Sequence, residues 1–78
     1  MRNYETYILP AYYACYLVNG DRDGYTDEEI EKIDSFLERK KLGHCVDVDI
    51  ENTYFTHGHD LNRNQGADVC EFTFVSLS

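Results

Sequence analysis

"LVNGDRDGYTDEEIEKIDSFL", Leu17 to Leu37, contains a chain reversal and the start of a helix, and it has the look of a calcium loop. With Gly24 at the sixth position of an EF-hand loop, Asn19, Asp21 and Asp23 fall at the first, third and fifth, and Thr26 at the eighth. The twelfth position, which needs a bidentate Glu, is Ile30. Glu29 and Glu31 flank it, but a helix turns about 100° per residue, so neither points where Ile30 points. The residues before the loop read as a strand, whereas an EF-hand needs a helix there. The stretch is therefore read as an Asn/Asp/Gly turn feeding a helix, with weak calcium binding as the alternative.

The helix has a clear start. Thr26 is a good N-cap with Glu29 three residues on, the spacing of a capping box, and Asp27 and Glu28 stand where the helix dipole favours anions. Ile30, Ile33, Phe36 and Leu37 make one apolar stripe. Lys40 and Lys41 suit the C-terminal end, and Gly43 is the expected stop.

Outward from the helix, strands are expected on both sides. Residues 1–10 read as an arm or short first strand punctuated by Pro10. "AYYACYLV", Ala11 to Val18, is short, apolar and rich in strand formers, and reads as a central strand. "HCVDVDIE", His44 to Glu51, alternates Val46, Val48 and Ile50 against Asp47, Asp49 and Glu51, the pattern of a half-buried strand. "DVCEFTFV", Asp68 to Val75, alternates in the same way around Cys70, Phe72 and Phe74. Between them, Asn52 to Gly66 is polar and rich in Asn and Gly, hence loop. The economical architecture is a single α+β domain over residues 1–78, one helix packed on a three- or four-stranded antiparallel or mixed sheet in two layers.

Composition narrows the function classes. A chain of 78 residues supports one modest core. Cys15, Cys45 and Cys70 are odd in number and show no paired spacing, so buried thiols in a reducing compartment are expected. No apolar run approaches the roughly 20 residues of a membrane span, and "MRNYETYILP" lacks the apolar core of a signal peptide, so the expectation is a protein of the bacterial cytoplasm with no membrane partner.

Asp and Glu total 15 against 7 Lys and Arg, for a formal charge of -8. The acids Asp21, Asp23, Asp27, Glu28, Glu29, Glu31, Asp34 and Glu38 crowd one segment in which Arg22 and Lys32 are the cations. Direct binding of nucleic acid is disfavoured, because phosphate contacts need Lys and Arg, and a basic protein partner is favoured.

The acids recur geometrically. Asp47, Asp49 and Glu51 would line one strand face at spacings of about 6.6 Å. Asp27, Glu31, Asp34 and Glu38 follow one helix stripe with neighbours about 5 to 6 Å apart. Like charges so placed repel and cost a few tenths of a kcal/mol per pair, so they do not serve local stability. A solvated acidic face is the bland explanation and a surface that mimics DNA the sharp one.

Other chemistry is weaker. His57, His59 and Asp60, with His44 and Cys45 or Cys70, are weak candidates for a zinc site alongside Asn19, Asp21 and Asp23 for calcium. No cofactor motif is present, and cysteines flanked by apolar residues are poor nucleophiles, so the chain is read as non-enzymatic.

"ILPAYYACYLVNGDRDGYTDEEIEKIDSFLE", Ile8 to Glu38, resembles a family of small uncharacterised proteins of phages, plasmids and conjugative elements. The shared pattern falls on Pro10, Tyr12, Tyr13, Leu17, Asn19, Gly20, Asp21, Gly24, Asp27 and Glu28, and extends to Tyr54, Phe55, Asp60 and the strand from Cys70 to Phe74. Tyr stands at Tyr12 or Tyr13 where relatives are expected to carry Trp, and Asp23 where Ser is common. The resemblance brings no catalytic residue. It implies a mobile-element setting, in which small acidic proteins resemble inhibitors of restriction or CRISPR nucleases. The resulting expectation is a protein that blocks a host nuclease through Asp27, Glu31, Asp34, Glu38, Asp47, Asp49 and Glu51, with Tyr25 and Tyr54 as anchors. The competing expectation is a regulatory module or homodimer joined through the tyrosine-rich strand, acidic only for solubility.

Overall fold

Residues Ala67–Ser76 form the longest strand, and its composition explains the sheet. Cys70, Phe72 and Phe74 have no solvent exposure on one face, and Val69 and Val75 are also buried on the other. A strand buried on both faces belongs in the middle of a sheet. The computed structural model describes residues 3–56 and 67–78. In chain order these give β1 (Tyr4–Pro10), a 3-10 turn (Ala11–Tyr13), α1 (Ala14–Asn19), α2 (Asp27–Arg39), β2 (Leu42–Val48), a second 3-10 turn (Ile50–Asn52), β3 (Tyr54–Thr56) and the central strand β4.

The sheet is antiparallel throughout. Strand β1 pairs along one edge of β4, from Tyr4 opposite Val75 to Pro10 opposite Val69. Along the other edge β2 pairs with its C-terminal half and β3 with its N-terminal end. The helices cover one face, where Ile33 and Phe36 of α2 meet Phe72, Phe74, Cys70, Leu9, Leu42 and Tyr13. The expected α+β two-layer domain is what the chain forms, with a second, short helix in addition.

That second helix corrects the reading of Ala11–Val18 as a central strand. Pro10 ends β1, and the chain then coils through a 3-10 turn into α1. An apolar run of eight residues fits either state by periodicity alone. The central place in the sheet that this run was expected to fill is held by β4. In the helix Tyr13, Ala14, Tyr16 and Leu17 turn inward while Tyr12, Cys15 and Val18 are exposed, a helical spacing hidden by the apolar character of both sides. Gly20 stops α1 in the left-handed region at φ 71°.

Three further differences concern strand and helix ends. Lys41, at φ 58°, makes the left-handed stop of α2 expected at Gly43, and its carbonyl accepts from Leu77 N–H at 2.8 Å. Gly43 lies within β2, where an added Cβ would stand 3.3 Å from Leu77 Cδ2. In β2 the alternation breaks between Cys45 and Asp47, where the pairing register shifts. A bulge sets two residues against one and reverses which face the following residues take. Cys45 and Val48 therefore pack on the core while Val46, expected inside, is exposed; Ile50, also expected inside, is exposed on the 3-10 turn beyond the end of the strand. The strand ends at Val48, so Asp49 and Glu51 lie outside it.

The capping box forms as expected: Thr26 Oγ1 accepts from Glu29 N–H at 3.1 Å and Glu29 Oε1 accepts from Thr26 N–H at 2.8 Å. Thr26→Ala should lower stability by about 1 kcal/mol and the melting temperature by roughly 4–8 °C. Phe72→Ala, which empties the core beneath α2, should cost about 3–5 kcal/mol and leave the domain largely unfolded near 37 °C. Thermal denaturation followed by circular dichroism checks both.

Candidate partner-binding surface

Four tyrosines join α1, the following loop and the start of α2. The Tyr25 hydroxyl donates to Tyr12 O at 2.6 Å and accepts from Tyr16 N–H at 3.3 Å. Its ring stacks on Tyr13, 6.0 Å between centroids and 6° from parallel, and meets Tyr12 edge-on at 4.9 Å. The Tyr12 hydroxyl shares its hydrogen between Glu29 Oε1 and Gly24 O, each 3.0 Å away. Tyr13 donates to Glu29 O at 3.2 Å, and Tyr16 donates to Asp34 Oδ1 at 2.7 Å. Tyr25, expected as an interface anchor, is thus half-buried at the hub of this network. The sequence reading missed the roles of Tyr12, Tyr13 and Tyr16. Their spacing at i, i+1 and i+4 signals a shared helix side only once the segment is taken as helical.

The network also shifts proton affinities. Burial, with the Glu29 charge next, pushes the Tyr13 phenol up to about 12. Burial raises Tyr12 and Tyr25, and the hydrogen bond to Asp34 raises Tyr16. The Thr26 N–H holds the Glu29 carboxyl below its ordinary range. A raised phenol favours the folded state while it is neutral, so that stability is complete below pH 10 and is lost as pH climbs toward 12. A depressed carboxyl works in the opposite sense, its stability being lost as pH falls below 4.5.

On α2, Asp27, Glu31, Asp34 and Glu38 are all exposed. Asp34 is held by Tyr16. Among the described residues no side-chain hydrogen bond restrains the carboxylates of Asp27, Glu31 or Glu38. The acids after the helix do not form the expected row. Asp47 lies opposite Thr73, on the sheet face away from the helices. Asp49 is half-buried and both its oxygens accept from Asn52 Nδ2 at 2.9 Å. Glu51 is exposed on the 3-10 turn.

Helix α1 stands between the two acidic groups. Tyr16 binds it to α2, while Ala14, Cys15, Val18 and Asn19 face Val48 and Ile50 across a shallow apolar groove of about 190 Å³. Tyr54, half exposed on β3, lies opposite Val69, on the sheet face away from the helices.

The Asn19–Gly24 segment joins two helices, and Asp21 Oδ1 accepts from Asp23 N–H at 3.0 Å, an Asx turn. Ile30, at the position of the missing twelfth ligand, is buried in the core. His57, His59 and Asp60 lie outside the described residues. Among the described residues no group of three His, Cys, Asp or Glu side chains is arranged to hold a metal ion. Burial pushes the Cys45 and Cys70 thiols up, away from thiolate. No described helix is long and apolar enough to cross a membrane.

A family model described as a domain of unknown function, DUF6926, matches residues 6–76. The chain belongs to the DUF6926 family. No curated protein and no solved structure matches it. In this DUF6926 chain, several residues that carried the resemblance do structural work. Pro10 ends β1, Tyr12 and Tyr13 bind the start of α2, Gly20 and Gly24 take positive φ, and Phe72 and Phe74 floor the core.

Tyr25→Phe removes the hub hydroxyl and should lower stability by about 1 kcal/mol while leaving the far-ultraviolet circular dichroism unchanged. Urea midpoints measured against pH should fall above pH 10 and below 4.5, and Tyr13→Phe should reduce the alkaline loss while sparing the acid one.

Proposed function

We propose that this DUF6926 protein is a non-enzymatic binding module for a basic protein partner, and that the partner is a nucleic-acid-binding nuclease of a host defence system. The protein would occlude such a nuclease by placing carboxylates where it holds phosphates, which fits the phage or mobile-element setting that the resemblance implies. The observation that supports this reading is the α2 stripe. Asp27, Glu31, Asp34 and Glu38 are exposed along one helix flank at spacings of about 5 to 6 Å, the scale of successive phosphates on a strand.

Leaving like charges so close is unfavourable for the isolated helix, and a cationic groove relieves it. Long-range attraction between an acidic stripe and a basic channel speeds encounter and weakens as salt shortens the Debye length from about 10 Å at 0.1 M. Because the strand acids disperse over different faces, the helix carries the charge pattern in this reading.

Glu31→Lys with Glu38→Lys reverses two of the four charges and brings the stripe's formal sum to zero without touching the capping box or the Asp34 bond to Tyr16. Tagged protein and bacterial lysates containing restriction and CRISPR nucleases, at about 0.1 M salt, should yield a basic nuclease complex whose DNA cleavage the purified protein inhibits. The double variant should bind it at least about tenfold more weakly, on the order of 1.4 kcal/mol. Retention unchanged by the reversal and by about 0.5 M salt would rule out a charge-based surface.

A further inference from the structure

Strand β1 is an edge strand, since among the described residues no strand lies beyond it. The phase of its hydrogen bonding follows from one contact. Ser76 N–H donates to Asn3 O at 2.8 Å, which continues the register of Tyr4 opposite Val75. In an antiparallel ladder, residues exchanging bonds with a neighbour alternate with residues whose N–H and C=O point away. Glu5, Tyr7 and Leu9 therefore bond to β4, while Tyr4, Thr6 and Ile8 direct their backbone groups to the free edge. On the other side of β4 the phase agrees: Asp49 N–H donates to Glu71 O, and Glu71 lies opposite Ile8.

Pro10 is the next outward-pointing position and has no N–H to offer. The usable edge is thus Tyr4, Thr6 and Ile8, symmetric about Thr6. The same residues place exposed side chains on the sheet face away from the helices.

We propose that a second copy of this chain pairs with β1 antiparallel about a two-fold axis through Thr6, joining two sheets into one. In this register Tyr4 faces Ile8 of the partner, Thr6 faces Thr6 of the partner, and each of the three residues exchanges both backbone bonds with the other copy. Pro10 falls outside the paired segment, so its missing donor costs nothing. The cross-strand pairs are aromatic with β-branched and Thr with Thr, both favourable combinations.

Charge does not oppose this register. Although the chain carries -8, the edge holds one acid among its described residues, Glu5. The two-fold sets Glu5 against the partner's Tyr7, whose own copy already donates its hydroxyl to Glu5 Oε1 at 3.0 Å. The two Glu5 carboxylates are thereby separated diagonally. This dimer uses β1, not the tyrosine-rich segment Ala11–Val18, and it leaves the α2 stripe open to another partner.

A single strand pair is a small interface, so association should be concentration-dependent. Sedimentation velocity from about 1 µM to about 1 mM should show monomer giving way to twice the chain mass. Ile8→Lys, at an exposed edge position, should weaken the dimer at least tenfold while keeping the monomer's circular dichroism. In a Cys15→Ser background, Thr6→Cys should form a disulfide-linked dimer with oxidised glutathione, because opposed bonded residues have Cα atoms about 5.5 Å apart. Tyr4→Cys should not, since the register keeps the two copies of that residue apart. A monomer throughout the range overturns the proposal. So does a dimer that survives Ile8→Lys or crosslinks through Tyr4→Cys and not through Thr6→Cys, because either outcome places the contact elsewhere or in another register.

Discussion

Strand β4 must satisfy backbone groups on both edges and apolar side chains on both faces, and the other elements take their places from that requirement. Phe72, Phe74 and Cys70, all without solvent exposure, need a cover, and α2 supplies it with Ile33 and Phe36. Its edges need partners, and β1 supplies one side while β2 and β3 divide the other. In a domain this small nearly every buried side chain touches this strand or the helix above it. The core consequently has little redundancy.

The second organising feature is polar and sits at the rim of that core. A six-residue helix such as α1 is not stable through its own hydrogen bonds, because nucleation is costly and few turns follow. Tyrosines solve this: Tyr12 and Tyr13 from the 3-10 turn before α1 and Tyr16 from α1 itself reach the first turn and middle of α2, and Tyr25 reaches back from the loop. Each hydroxyl lands on a group already ordered by the helix or the loop: Glu29 in its capping box, the Glu29 carbonyl, Asp34, and the Tyr12 carbonyl. Two of the carboxylates that make the segment so acidic, Glu29 and Asp34, are therefore structural acceptors. The remaining acids on the α2 flank have no such duty, which distinguishes them as candidates for contact with a partner.

The geometry keeps the acidic groups on separate surfaces. An alternating acidic row on His44–Glu51 and an acidic stripe on α2 could have formed one electrostatic face. The bulge after Cys45 and the end of β2 at Val48 send Asp47 to the far side of the sheet and leave Asp49 bound to Asn52. Helix α1 and its groove lie between the remainder. Two potential interfaces result, the charged α2 flank and the β1 edge, and nothing in their positions makes them compete.

What was legible in the residues was local. Thr26 and Glu29 define a helix start through hydrogen bonds within one turn, the apolar period of Ile30, Ile33 and Phe36 sets its buried side, and the alternation around Phe72 marks a strand. The α+β class follows from those patterns, as does the acidic character of the surface. What only the tertiary structure decided depended on which partner each segment found. Ala11–Val18 suits strand or helix equally, and became helical where β1 holds the edge of β4 and tyrosine hydroxyls reach α2. Val46 and Ile50 look like core residues, but Val46 sits where β2 shifts register against β4 and Ile50 falls on the 3-10 turn after the strand has ended. The roles of Tyr12, Tyr13, Tyr16 and Tyr25 were hidden for the same reason: a phenol is amphipathic, and whether it anchors a partner or braces its own fold is settled by the acceptors that folding brings within its reach.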